Sequence, residues 1–265
     1  MANTTAQDFV YPASAAEGVP VSELPAVLAA TSFNTIDGES TSSFKLQPRL
    51  PTIRVEGRIL YLPTSDKKQF TFLVAKNDAA KVKEAIEASV KPLIVDAAKA
   101  TSPPPVEEQE KAIASSSSKK RKVLKPVSGS QPSPADPSFS LQITDDQHDP
   151  TMSRIYVRYS EKNLTAIEVK GDSYEELNVE VLQTADFKEQ DGHPFRYREV
   201  EAVLSPSPWI SQSRTSCGIT WFLNNLVVGP QNEFIEQAIA DQYKVEAPRK
   251  VRKWKGKELT TPSSH

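Results

Sequence analysis

The side chains of this chain best suited to chemistry are cations set beside aromatic rings. Near its end, Arg249, Lys250, Arg252, Lys253 and Lys255 surround Trp254. Cations neutralise phosphates and release counterions, and an indole offers a platform on which an unpaired base can stack. The same pairing recurs upstream. In FRYREVEAVL, Phe195 and Tyr197 alternate with Arg196 and Arg198, and in GITWFLNNLVV, Ile219, Trp221 and Leu223 share one face while Thr220 and Phe222 share the other. Exposed aromatics next to arginines suit the holding of a single strand, because stacking contributes roughly 1–3 kcal/mol per base without reading sequence. The competing reading is that Trp221, Phe222 and Phe195 fill a core, the usual fate of aromatics in a small β domain.

A second cluster, Lys119-Lys120-Arg121-Lys122-Val123, lies in a Ser/Pro-rich stretch. Adjacent cations on an extended, accessible backbone are what the acidic, tryptophan-lined groove of a nuclear import adaptor takes up, so the run is expected to act as an import signal. The alternatives are a solvated charge run or a phosphate-binding patch. Little else has catalytic or metal-binding character. Cys217 is the only cysteine, which excludes an internal disulfide, and His148, His193 and His265 stand apart without metal-ligand spacing. Neither a glycine-rich phosphate loop nor a nucleophile elbow occurs, so no cofactor and no catalytic residue is expected. The pair Glu175-Glu176 is expected to face solvent.

The elements that must position these residues are mostly strands. Alternation marks 53–62 and 69–75 as a hairpin, with Gly57 expected to bulge or bend the first strand. Asn77 and Asp78 offer an N-cap to an amphipathic helix carrying Val82, Ile86 and Val90, and 92–100 follows as a short helix opened by Pro92. Further strands are expected at 139–143, 154–159, 164–169, 177–187, 195–204 and 218–228, with a turn or bulge at Asn224-Asn225, and then a helix over 232–243. Six short strands separated by turn chemistry predict a small all-β barrel or sandwich.

Between them, 101–138 is rich in Pro, Ser and Lys, without aromatics or periodicity, and is expected to be a disordered linker. Residues 1–48 are expected to be a mostly irregular arm, with one short helix near SELPAVLAAT capped by Ser22, and 245–265 a basic tail. The fold class is therefore mainly β with flanking helices. Two domain arrangements remain open: the 49–100 hairpin and helix fold apart from 139–244, or they pack onto it as one discontinuous domain.

The N-terminus lacks a basic and then apolar leader, and Leu24 to Ala30 is far shorter than the ~20 residues of a membrane span, so a non-secreted protein without a membrane partner is expected. The net charge of −2 comes from 32 Lys and Arg against 34 Asp and Glu, and it hides the basic clusters.

The stretch from Cys217 through Gly218, Ile219, Thr220, Trp221, Phe222 and Leu223 to Val228 resembles the closing strand of the OB-type single-stranded-DNA-binding proteins of phages and large DNA viruses. There a small residue, a glycine and an apolar run follow a polar loop and precede a charged tail. The resemblance implies an OB-like barrel and sequence-tolerant binding of single strands. This tail is basic where those are often acidic. The expected binders are Arg196, Tyr197, Arg198, Trp221 and the tail residues Arg249, Lys250, Arg252, Lys253, Trp254 and Lys255. The alternative is a structural or interaction protein, a virion component or nuclear adaptor, whose β domain assembles with partners or with copies of itself.

Overall fold

The computed structural model describes residues 18–37, 44–100, 136–171 and 173–243. The expected import signal at Lys119–Val123 and the tail residues Arg249, Lys250, Arg252, Lys253, Trp254 and Lys255 lie outside these residues.

Five strands close a barrel. They are β4 (Ile53–Tyr61), β5 (Gln69–Ala75), β8 (Met152–Tyr159), β11 (Glu199–Ile210) and β12 (Ser216–Val228). β4 pairs antiparallel with β5 and with β11, β5 with β8, and β11 with β12, and a parallel contact between β12 and β8 completes the ring. This is an OB-like barrel, as expected from the closing-strand segment. The hairpin β4–β5 and the strands after residue 136 therefore belong to one sheet.

Period-two alternation explains the core. Ile53, Val55 and Ile59 of β4, Phe70, Phe72 and Val74 of β5, Ile155 and Val157 of β8, and Ile219, Trp221 and Leu223 of β12 are all buried in one cluster. Burying each such side chain contributes roughly 1.5–3 kcal/mol. Gly57 has a purpose other than the expected bend. A Cβ there would stand 2.3 Å from the Leu73 carbonyl oxygen, so glycine permits close approach of β5, and the register shift falls between Ile59 and Tyr61.

Smaller elements surround the barrel. β1 (Val19–Pro20) pairs with β4, β6 (Ser138–Ser140) with β12, β7 (Ile143–Asp145) with β8, and β9 (Thr165–Lys170) with both β12 and β10 (Ser173–Glu176). β2 (Asn34–Asp37) and β3 (Phe44–Gln47) form a separate hairpin. Helices α1 (Leu24–Ala30), α2 (Lys76–Ser89) and α3 (Lys91–Ala100) bury Leu24, Leu28, Val82, Ile86 and Ile94 in the barrel's own cluster. α4 (Glu233–Tyr243) lies on the outer surface. Lys99, near the end of α3, pairs with Asp136 at 2.8 Å, so the chain leaves and re-enters the described structure at neighbouring points.

Several expectations are corrected. Residues 177–187 form no strand; they make two 3-10 turns, Val179–Leu182 and Phe187–Gln190. Asn178 and Asp186 start these turns by accepting hydrogen bonds from nearby backbone N–H groups, a local alternative that competes with sheet pairing. Residues 139–143 split at Gln142, whose φ of 55° breaks an extended run. The strand expected at 195–204 begins only at Glu199, because Tyr197 adopts φ 67°, and it continues through Pro206 and Pro208 to Ile210. Proline is tolerated there because β11 pairs with β4 only as far as Leu204, which leaves its distal part an edge. The N-cap positions of α1 and α2 are Glu23 and Ala75, without the expected side-chain caps from Ser22, Asn77 or Asp78. The N-terminal arm holds the expected short helix, α1, and more structure than expected in β1 and the β2–β3 hairpin. The register shift between Val203 and Leu204, which leaves Asn224 without a partner in the ladder, places a bulge where one was expected.

Candidate nucleic-acid interface

The described residues expected to bind a strand have other tasks. Trp221 is 0% exposed, points into the barrel and donates its indole N–H to the Leu141 carbonyl at 2.6 Å. Arg198 is 3% exposed; it pairs with Glu168 at 2.5 Å, donates to the Gly229 carbonyl and covers the Phe195 ring. Arg196 donates to the Leu60 carbonyl, pairs with Asp191 and lies between the rings of Tyr61 and Tyr197, 5.3 and 4.6 Å from their centroids. Burial pushes the Tyr197 phenol up to about 12, against the pull of Arg196. Reading Arg196, Tyr197, Arg198 and Trp221 as strand binders is thus corrected. The left-handed turn at Tyr197 drives both arginines inward to brace the 177–198 excursion, and Trp221 occupies an inward register position.

A different set of aromatics and cations remains on the outside. Along β8, Ile155, Val157 and Tyr159 are buried, while Tyr156 is half-buried and Arg158 exposed. Cross-strand partners share a face. Register sets Gln69 of β5 and Phe222 of β12 on either side of Arg158, and Thr71 links Tyr156 to Tyr61 of β4. Phe222 is 37% exposed. Trp209, on the distal arm of β11, stands opposite Gly218, on the same face as Thr220. Gln69, Gln142, Tyr156, Arg158, Trp209 and Thr220 together line a groove of about 410 Å³.

Charge is distributed unevenly along this face. Arg154 is committed to Asp146 at 2.5 Å, and Asp146 also accepts from the backbone N–H groups of His148 and Asp149. Burial alone would raise the Asp146 carboxyl, but Arg154 and the two N–H groups outweigh it and hold the carboxyl below the usual range. Arg158, by contrast, has no salt-bridge partner among the described residues. It is a cation free to meet a phosphate.

The borders of the face are tied by hydrogen bonds and a ring contact. The loop between β4 and β5 is tied to the 177–198 excursion where Ser65 N–H donates to the Thr184 carbonyl at 3.1 Å. Gln190 both accepts from and donates to the Leu62 backbone, at 3.1 and 2.8 Å. This brings Phe187, 59% exposed, to 4.9 Å from the Tyr61 ring, at the far end of the row. On the adjoining surface, α4 covers Leu60, Leu73 and Tyr197 with Ile239, Ala240 and Tyr243, so that patch is closed.

The sequence reading missed Tyr156, Arg158 and Trp209 as binding candidates. The signal was present in Met152–Tyr159, where Arg154, Tyr156 and Arg158 alternate with apolar residues.

No family model matches the chain, and no curated protein matches it. Among solved structures, it is similar to the single-stranded DNA-binding protein from bacteriophage Enc34, at 14% identity over 77% of this chain and 92% of that one, with a TM-score of 0.36. The same phage protein in complex with ssDNA matches 77% of this chain at 15% identity and covers 98% of its own length, with a TM-score of 0.35. The gp2.5 single-stranded DNA-binding protein encoded by bacteriophage T7 matches 68% of this chain and 92% of its own, at 10% identity and a TM-score of 0.38.

Proposed function

We propose that this chain is a non-catalytic protein that binds single-stranded nucleic acid, DNA in particular, on the outer face of β5, β8 and β12. One observation carries the proposal: Arg158, without a carboxylate partner among the described residues, lies on the outer face of the second and third strands of an OB-like barrel, beside Phe222 of the fifth strand in register and with Tyr156 and Trp209 lining the same groove. That face is where such barrels take oligonucleotides. The rings supply stacking platforms, the guanidinium supplies a phosphate contact, and neither demands a particular sequence. The basic residues Arg249 to Lys255 add phosphate contacts.

The test is fluorescence anisotropy of the full chain with labelled oligo-dT. Binding at low salt is expected to weaken as salt rises, with a log–log slope of about −0.7 for each phosphate neutralised. Arg158→Glu and Tyr156→Ala should each weaken binding by roughly tenfold at unchanged melting temperature. Undetectable binding at low salt would refute the proposal. We further propose that Lys119–Val123 carries the protein into the nucleus on an import adaptor. Cytoplasmic retention of a fluorescent fusion after Lys120→Ala and Arg121→Ala is the expected result, and unchanged nuclear entry would overturn it.

A further inference from the structure

Phe187 is an exposed ring on a backbone that is closely tied. It opens the 3-10 turn Phe187–Gln190, and the polar side chains around it hold that turn in place. Asp186 accepts from the Lys188 and Glu189 N–H groups, and Glu189 accepts from the Ala185 N–H. Gln190, 1% exposed, bonds in both directions with the Leu62 backbone. The ring itself lies outside the core. It is 59% exposed and meets Tyr61 at a tilt of 50°, while the Arg196 guanidinium stands over Tyr61. A ring with a tied backbone and an open face loses little freedom when a ligand meets it.

Its position continues the row on the outer face of the barrel. Tyr61 is joined through Thr71 to Tyr156, and Arg158 and Phe222 follow on β8 and β12. With strands about 4.8 Å apart and residues about 3.3 Å apart along a strand, the row runs roughly 20 Å from Phe187 to Phe222. A stacked strand advances about 3.4 Å per nucleotide, so the row matches about six nucleotides. Charges near Phe187 nearly cancel. Lys67 and Lys188 stand against Asp66, Asp186 and Glu189, and Asp191 is paired with Arg196. A phosphate gains little there, so what the turn offers a strand is an aromatic face.

We infer that Phe187 is a stacking platform for a base at one end of the bound strand, and that it extends the footprint to about six nucleotides. The inference rests on the single-strand-binding proposal and specifies how far along the strand the site reaches.

The experiment measures anisotropy of the full chain and of Phe187→Ala with oligo-dT of about four and about twelve nucleotides, lengths within the range one OB fold covers. The shorter oligonucleotide is satisfied by Tyr156, Arg158 and Phe222, so the two proteins should bind it within about twofold of each other. The longer one covers the whole row, and Phe187→Ala should bind it about tenfold more weakly. The slope of log affinity against log salt should not change, because no phosphate contact is lost. Phe187→Trp should keep the affinity of the unaltered chain. Equal binding of the longer oligonucleotide by Phe187→Ala and the unaltered chain would overturn the inference and leave the single-strand proposal standing. So would a loss of the same size at both lengths, since that is the mark of a structural role. Failure of the unaltered chain to bind the longer oligonucleotide at low salt would overturn both.

Discussion

Replacing Arg198 by alanine tests whether this residue braces the fold or meets the ligand. In the structure its guanidinium pairs with Glu168 at 2.5 Å, with side-chain exposures of 3% and 11%, and it also donates to the Gly229 carbonyl. Removing one partner of a buried pair leaves an uncompensated charge and costs about 3–5 kcal/mol. Lys170 lies 3.5 Å from the other oxygen of Glu168 and shields part of that charge, so the lower end is expected, about 3 kcal/mol. At about 2–4 °C per kcal/mol for a domain of this size, the melting temperature should fall by roughly 6–12 °C. Replacing both partners, Arg198→Met with Glu168→Met, removes the unpaired charge and should recover most of the loss. Thermal unfolding followed by tryptophan fluorescence reads all three proteins, because Trp221 moves from the barrel interior to water. Oligo-dT binding measured well below the transition should remain close to that of the unaltered chain. An Arg198→Ala protein that melts normally but loses oligo-dT binding would refute this account and return Arg198 to the ligand.

Three other outcomes are expected. The Asp146 carboxyl is held below its ordinary value, so its contribution to stability is full at neutral pH and is lost as pH falls from the ordinary aspartate range, about 3.9, through the folded value; urea unfolding of the unaltered chain and of Asp146→Asn should differ at pH 7 and converge in acid. A Cβ at Gly218 would lie 2.0 Å from the Ser140 carbonyl oxygen, so Gly218→Ala must displace β6 from β12 and should cost about 3 kcal/mol by urea titration, whereas an unchanged midpoint would contradict the close approach. Because Lys99 and Asp136 meet at 2.8 Å, a Gly/Ser connector about a quarter the length of 101–135 should preserve the fold and raise stability by about 1 kcal/mol, while a protein that fails to fold would show that the segment contributes to packing.

Much of the barrel was legible in the sequence because side-chain alternation is a local property. β5 occupies 69–75, as its alternation predicts, and β8, β9 and β12 fall within two residues of expectation. The 177–187 segment misled for an equally local reason. Its apolar residues alternate, but Asn178 and Asp186 offer the backbone nearer partners, and the strand never forms. The arginines at 196 and 198 misled through one residue. Tyr197 at φ 67° turns a segment with an outward-facing pattern into a brace, and nothing in its side chain announces a left-handed conformation.

The sequence by itself determined the five strands of the barrel, which of their faces are apolar, and where the cations gather. Those properties depend on residues one to four positions apart. Only the tertiary structure decided which outward side chains stay open. β12 closes on β8 in parallel, and α4 seals Leu60 and Leu73 while leaving Tyr156, Arg158, Phe222 and Trp209 uncovered. Coverage arises from pairings between residues far apart in the chain, so no local pattern could have separated the arginine that braces from the arginine that remains free.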